Sequence, residues 1–228
     1  MRTAFFVDGY NLFYGLLAGT PYKWLDLRAL LAHITHVQEP RSELASVSYF
    51  TASVKPALAT RGIVSKEAQD TYIRALKATG VEVFFGRHRL EPGRAPRFIN
   101  RTTPPSRLDQ VDIWRLEEKE TDVNLAISMY RLAAKQAALP PEDQIQQLVL
   151  VSADTDMMPA LSAIREDFPD LTVGVILPHR RERKSQDALK GLAHWIRHHV
   201  TEEELQRHQF PPRIAIGSKK PACKPDYW

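Results

Sequence analysis

Apolar residues along this chain fall into two rhythms: short unbroken runs, and longer stretches with an apolar residue every three or four positions. The runs Ala4–Val7, Ala45–Thr51, Val81–Phe85, Leu148–Val151 and Leu171–Leu177 predict five buried strands. Between them, Leu25–Thr35 places Leu27, Leu30, Leu31 and Ile34 on one helical stripe, and Ser65–Thr79 reads as a helix stopped by Gly80. Glu117–Ala138 is the longest helical pattern, ended by Pro140 and Pro141. Met157–Asp167 and Ser185–His199 read as two more helices. Residues 86–112, rich in arginine and proline, show no clear period and read as an excursion from this scheme.

Strands separated by helices of ten or more residues imply βαβ units, hence a mostly parallel sheet covered on both faces. The expected organisation is one α/β domain over residues 1–200, with a C-terminal extension over 201–228 that becomes a mobile tail from Pro211.

Composition narrows the class. Of 228 residues, 43% are hydrophobic and 25% charged, the mix of an ordinary globular domain. No apolar run approaches the ~20 residues of a membrane span, and Asp8 interrupts the N-terminal apolar segment before a signal-peptide core can form. The one cysteine, Cys223, excludes an internal disulfide framework and a cysteine-built zinc site. These features predict a cytoplasmic protein without a membrane partner.

The net charge of +4 is unevenly spread. Residues 86–107 hold Arg87, Arg89, Arg94, Arg97, Arg101 and Arg107 against Glu91. Residues 179–199 hold Arg180, Arg181, Arg183, Lys184, Lys190 and Arg197 against Glu182 and Asp187. Such clusters suit an anionic partner, nucleic acid foremost, or else a merely solvated basic surface.

Acids stand where ligands bind in an open parallel sheet, beyond the carboxyl ends of strands. The first strand runs out into Val7-Asp8-Gly9-Tyr10-Asn11, and the fourth into Val151-Ser152-Ala153-Asp154-Thr155-Asp156. Glu118 and Asp122, four apart in the predicted long helix, would share one of its faces. Carboxylates gathered there repel one another unless a cation intervenes, and Mg²⁺ accepts such oxygen ligands. Taken singly, Asp8 can be a turn residue, Asp154 and Asp156 can cap a helix, and Asp122 can pair with Lys119.

Three segments in this order, Phe6–Leu12, Glu118–Val123 and Val151–Met157, resemble the NYN domain family, the LabA-like branch of PIN-like nucleases. The resemblance implies a three-layer α/β/α sandwich with strand order 3-2-1-4-5. It further implies an endoribonuclease dependent on Mg²⁺ or Mn²⁺, whose acids correspond to Asp8, Asp122, Asp154 and Asp156. Asn11 would support the site, Ser152 and Thr155 would supply hydroxyls, and Glu118 would be an auxiliary ligand. Many relatives carry another acid two turns along the long helix, where this chain has Ser128.

On this reading Arg87, Arg89, Arg97, Arg101, Arg181, Arg183 and Lys184 would contact phosphates of single-stranded or structured RNA. Phe98, Trp114 or Tyr10 would stack bases or else lie in the core. PIN-like domains often pair, so the resemblance allows a homodimer, while the residues themselves leave the oligomeric state open. His194 and His198 stand four apart, yet without the HExxH context of a zinc helix. An aspartyl phosphotransferase would need an acid at Tyr10, a Toprim-like site would need Glu at Asp8, and no P-loop motif is present. The alternative from another class is a catalytically weak module that binds RNA or protein through its basic surfaces.

Overall fold

The computed structural model describes residues 1–136, 138–181, 189 and 191–228. Its centre is β1 (Arg2–Asp8), buried from Thr3 to Asp8. Because a strand's side chains alternate, Phe5 and Val7 enter one core layer while Ala4 and Phe6 enter the other.

From β1 the chain passes through α1 (Gly9–Leu12), one π-helical turn and α2 (Leu27–Gln38) to β2 (Glu43–Ala52). It continues through α3 (Ile63–Ala78) to β3 (Glu82–Pro96). The apolar stripes of α2 and α3, including Leu30, Ile34, Tyr72 and Leu76, pack on the first face. The chain then returns through β4 (Gln110–Lys119) to α4 (Thr121–Gln136), β5 (Gln147–Val151), α5 (Met158–Asp167) and β6 (Thr172–Ile176). Leu125 and Met129 of α4 and Leu161 and Ile164 of α5 fill the second face.

Seven strands form the sheet in the order β4-β3-β2-β1-β5-β6-β7, where β7 is Trp195–Arg197. Every pairing is parallel except β3 with β4. The five strands expected from sequence stand in the expected order, giving the three-layer α/β/α sandwich, and β1 and β5 are neighbours at the point where the strand order reverses.

Four details differ from the sequence reading. The excursion 86–112 is largely a β-hairpin: β3 pairs with β2 as far as Gly86, then with β4 from Arg87 to Pro96. Its two strands project past the carboxyl ends of the parallel strands. One face of the arm is exposed and the other only half-buried, and the arginines and prolines along it break up any apolar period.

Second, the long helix begins at Thr121, not Glu117. Glu117 and Glu118 belong to β4, opposite Arg89 and His88, so Glu118 and Asp122 do not share a helix face. The bend between them turns on Glu120, whose φ of 77° lies in the left-handed region. Gly86 makes room for that bend: a Cβ there would stand 2.2 Å from Thr121 Oγ1 and 2.6 Å from the Lys119 carbonyl oxygen.

Third, Trp195–Arg197 is an edge strand rather than part of a helix. Trp195 turns to the first core layer and Ile196 to the second, and Gly174 leaves space for the Trp195 ring. Three residues are too few for alternation to be read against an i,i+4 histidine pair. Residues 185–188 and 190 of that expected helix lie outside the described residues.

Fourth, the C-terminal segment folds onto the first face as α6 (Glu202–Arg207) and the antiparallel pair β8 (Arg213–Ile216) and β9 (Lys219–Cys223). Buried Trp24 anchors it, with Phe210 at 5.6 Å and Trp228 at 6.3 Å between ring centroids. The Trp24 indole Nε1 donates to the Pro211 carbonyl at 2.9 Å.

Candidate metal centre

The turn after β1 builds the site. Asp8, 2% exposed, ends the strand and caps α1, accepting from the Asn11 backbone N–H at 3.0 Å. Its other oxygen, Oδ2, accepts from the Asn11 amide Nδ2 at 2.6 Å and from the Ser152 hydroxyl at 2.9 Å. With two donors on Oδ2 and one on Oδ1, the Asp8 side chain is held in one orientation and keeps a lone pair on Oδ1. Glycine is required next to it, because a Cβ at Gly9 would lie 2.7 Å from both the Phe50 carbonyl oxygen and the Tyr49 ring.

Two further acids meet Asp8. Asp122 arrives in the first turn of α4, where the positive end of the helix dipole favours a carboxylate. Asp154 follows β5 and caps the short 3₁₀ turn Thr155–Met157, accepting from the Asp156 N–H at 2.9 Å. Ligand oxygens of Asp8, Asp122 and Asp154 lie within 4.8 Å of one another. The Ser152 hydroxyl joins the two loops, donating to Asp8 while accepting from the Asp154 N–H at 3.0 Å. The Asn11 side-chain oxygen accepts from the Ala153 N–H at 3.3 Å.

Electrostatics mark this as a crowded negative site. Burial, then Asp8, Asp154 and Asp156 together push the Asp122 carboxyl above the usual carboxylate range. Burial likewise raises Glu118, with the Thr121 hydroxyl and His88 opposing and Asp122 and Asp8 reinforcing. Among the described residues no lysine or arginine pairs with Asp8, Asp122 or Asp154. Lys119, the alternative partner for Asp122, instead pairs with Glu117 at 2.6 Å. Hard oxygen donors left mutually repelling, with no cationic side chain between them, fit a divalent cation.

Other expected site residues are placed differently. Asp156 is exposed at the edge of the cluster, and Thr155 is exposed with no side-chain hydrogen bond among the described residues. Glu118 sits at the base of the β3–β4 arm. Four arginines of that arm face acids: Arg87 pairs with Glu120, Arg89 with Glu91 at 2.8 Å, Arg94 with Asp112 at 3.5 Å and Arg97 with Asp109 at 3.0 Å. The charge excess of 86–107 is therefore partly answered across the hairpin. Arg101 and Arg107, toward its tip, have no ion pair among the described residues. Phe98 and Trp114 are 78% and 68% exposed rather than core. Arg181 is exposed, while Arg183 and Lys184 lie outside the described residues. His194 accepts from the Val173 N–H at 2.9 Å, which ties it to the sheet edge rather than to His198.

Sequence reading missed His88. Its Nδ1 lies 2.9 Å from the Ser53 carbonyl oxygen and donates to it, and in the neutral ring Nε2 then accepts from the Tyr10 hydroxyl at 2.6 Å. Burial raises the Tyr10 pKa, keeping that hydroxyl protonated as the donor. No motif announces His88, because it meets Tyr10 only when the arm folds over the first turn.

A crystal structure of a protein of unknown function from Vibrio parahaemolyticus RIMD 2210633 superposes with a TM-score of 0.48 at 15% identity, covering 89% of this chain and 94% of that one. The 6-hydroxy-3-succinoylpyridine 3-monooxygenase HspA of Pseudomonas putida (strain DSM 28022 / S16) is 33% identical over 246 residues, covering all of this chain and 75% of that protein. No helix among the described residues is long and apolar enough to cross a membrane. The NYN domain model matches residues 2–196, the span that carries both core layers and all three converging acids, and the chain belongs to this family of PIN-like nucleases.

Proposed function

We propose that the protein hydrolyses RNA phosphodiester bonds with the help of Mg²⁺ or Mn²⁺. The observation that carries this reading is the convergence of Asp8, Asp122 and Asp154, brought from a strand end, a helix start and a second strand end to within 4.8 Å. A divalent cation there supplies positive charge to a phosphate oxygen and acidifies water. Asp8, locked by Asn11 and Ser152, orients that cation, while Asp122 and Asp154 complete its ligand set. Asp156 and Glu118, whose charges act on Asp122 or feel it, would accept a proton or order a water. The arm carries Arg101 and Arg107 for backbone phosphates and exposed Trp114 and Phe98 for unpaired bases.

The test is cleavage of single-stranded RNA by purified protein with Mn²⁺. EDTA should stop it, and Asp8→Asn or Asp154→Asn should lower the rate on the order of 10²–10³-fold, the scale of removing one electrostatic contact to a transition state, while RNA binding persists. Binding without cleavage, unaltered by either substitution, would instead identify a binding module.

A second reading is supported by the match to a monooxygenase along the whole chain: oxygenation of a small aromatic substrate on the same scaffold. It predicts oxygen uptake, dependent on an electron donor and on 6-hydroxy-3-succinoylpyridine, with RNA left intact.

A further inference from the structure

Beside the acid cluster, at the carboxyl ends of β1 and β2, lies a cavity of about 480 Å³, within the range of small-molecule sites. It shares with the cluster only the turn containing Gly9 and Tyr10. Its walls come from that turn, the loop after β2, the base of the arm at His88 and Leu116, and the C-terminal Tyr227 and Trp228.

Two features of the lining are independent of each other. Aromatic surface dominates one wall: the Tyr10 and Tyr14 rings are 5.6 Å apart, Phe13 packs edge-on to Tyr14 at 5.1 Å, and buried Tyr49 lines the same space. Tyr14, 68% exposed, has an open ring face. Positive charge marks the rest: Lys23, Lys55 and Arg61 line the cavity, none has an acidic partner among the described residues, and no aspartate or glutamate side chain lines it. Arg61 lies over the Tyr227 ring at 4.5 Å, which positions its guanidinium without neutralising it.

We propose that this cavity binds a compound joining a planar aromatic ring to one anionic group, carboxylate or phosphate. The ring stacks against Tyr10 and Tyr14, in offset or edge-on geometry. The anion meets Lys55 and Arg61, whose unpaired charges gain most from a partner in a partly dry space. The neighbouring acids repel the anionic end, so the ligand lies with its charge away from Asp8. Occupancy of this cavity does not depend on which reaction the acid cluster performs. Two sources share the chemistry: a nucleotide, and a free aromatic acid.

Calorimetric titration of the full chain in EDTA tests it, with 5′-AMP, 3-phenylpropionate, phenol and inorganic phosphate as probes. At least one of the first two should bind saturably with one site and a Kd at least tenfold below those of phenol and phosphate. Lys55→Glu combined with Arg61→Glu, both at exposed positions, should weaken that binding at least tenfold, and Tyr14→Ala should weaken it several-fold. Asp154→Asn should leave it within twofold. AMP alone binding identifies a nucleotide pocket, and phenylpropionate alone an aromatic-acid pocket. If neither saturates, or if the charge-reversed protein keeps its circular dichroism and binds equally well, the proposal is wrong.

Discussion

The turn Val7–Asn11 separates two regions of opposite character. On the β5 side three carboxylates crowd together, with hydrogen-bond donors on Asp8 and Asp154 and none on Asp122 among the described residues. On the β2 side three cations and several aromatic rings border a cavity without an aspartate or glutamate side chain. Both regions use the same structural opportunity, the gap at the carboxyl ends of a parallel sheet where neighbouring loops part. They differ in how they are held. The acid cluster hangs on short, directional hydrogen bonds radiating from Asp8, so its geometry is stiff. The cavity is walled by loops, the arm and the chain's last residues, held by ring packing and by separate hydrogen bonds such as Tyr10 with His88 and Gln69 with Val54 and Ala52. A ligand that spans both would place a positive ion and a negative group on opposite sides of Tyr10.

The sharpest way to break the contrast is Ser152→Ala. Removing the hydroxyl that links Asp8 to the Asp154 backbone should lower Mn²⁺ affinity about 10–100-fold, as loss of a group supporting a metal ligand does. Binding of the ring-plus-anion probes should not change. Isothermal titration with each ligand reads both sides; equal loss on both would mean that the two regions are one mechanical unit.

Trp228→Ala is the reciprocal experiment. Trp228 packs on Trp24 and Tyr72 and lines the cavity, so its truncation should cost about 1–3 kcal/mol in urea unfolding and weaken the aromatic probes. Mn²⁺ affinity should hold within twofold. Unfolding at the wild-type urea midpoint would show that the C-terminal segment contributes little to the core.

Salt dependence of RNA binding ranks the arm's arginines. Replacing Arg101 and Arg107 by alanine should reduce the slope of log K against log salt by about 1.4, near 0.7 per lost single-strand phosphate contact. Replacing Arg87 and Arg97, already facing Glu120 and Asp109, should reduce it less. The reverse ranking would place RNA at the base of the arm instead of its tip.

The smallest effect concerns Asp122 without metal. Its folded pKa lies above the ordinary 3.8. As pH rises through the window between those values, the unfolded chain releases its proton first, and folding loses stability that is not regained at neutral pH. Asp122→Asn lacks this loss, so its metal-free melting temperature should exceed that of wild type by about 1–2 °C at pH 7, a modest gain because solvent screens the exposed carboxylate. The difference should shrink below pH 4. A lower melting temperature for the variant would mean that Asp122 is structurally paired.

Reading from sequence reached the parallel sheet and the three acid-bearing segments because both have local signatures. Buried strands such as Leu148–Val151 are unbroken apolar runs, and Val7-Asp8-Gly9 and Asp154-Thr155-Asp156 are chain reversals written in turn residues. Glu118 was misassigned to a helix because an acidic stretch before an apolar stripe looks like a first helical turn; cross-strand pairing with Arg89 and His88 overrode that preference. The arm stayed hidden because its half-buried face mixes Glu91 and Gly93 with Val111 and Ile113, so its apolar side is interrupted. The ion pairs that partly neutralise its arginines were equally hidden, since Asp109 and Asp112 face Arg97 and Arg94 only across the hairpin.

What the linear order of residues determined alone is therefore local: which segments are buried strands, where they end, and that an acid stands at each of the decisive ends. Burial demands apolar runs and turns demand particular residues, and both demands act within a few positions. Only the tertiary structure decided that Asp8, Asp122 and Asp154 come within 4.8 Å, that His88 accepts from Tyr10, and that Lys23, Lys55 and Arg61 share an aromatic cavity. Those encounters depend on strand order, on the bend at Glu120 and on the docking of the last residues against Trp24. Each is a contact between distant segments, fixed by the packing of two core layers rather than by any neighbouring residue.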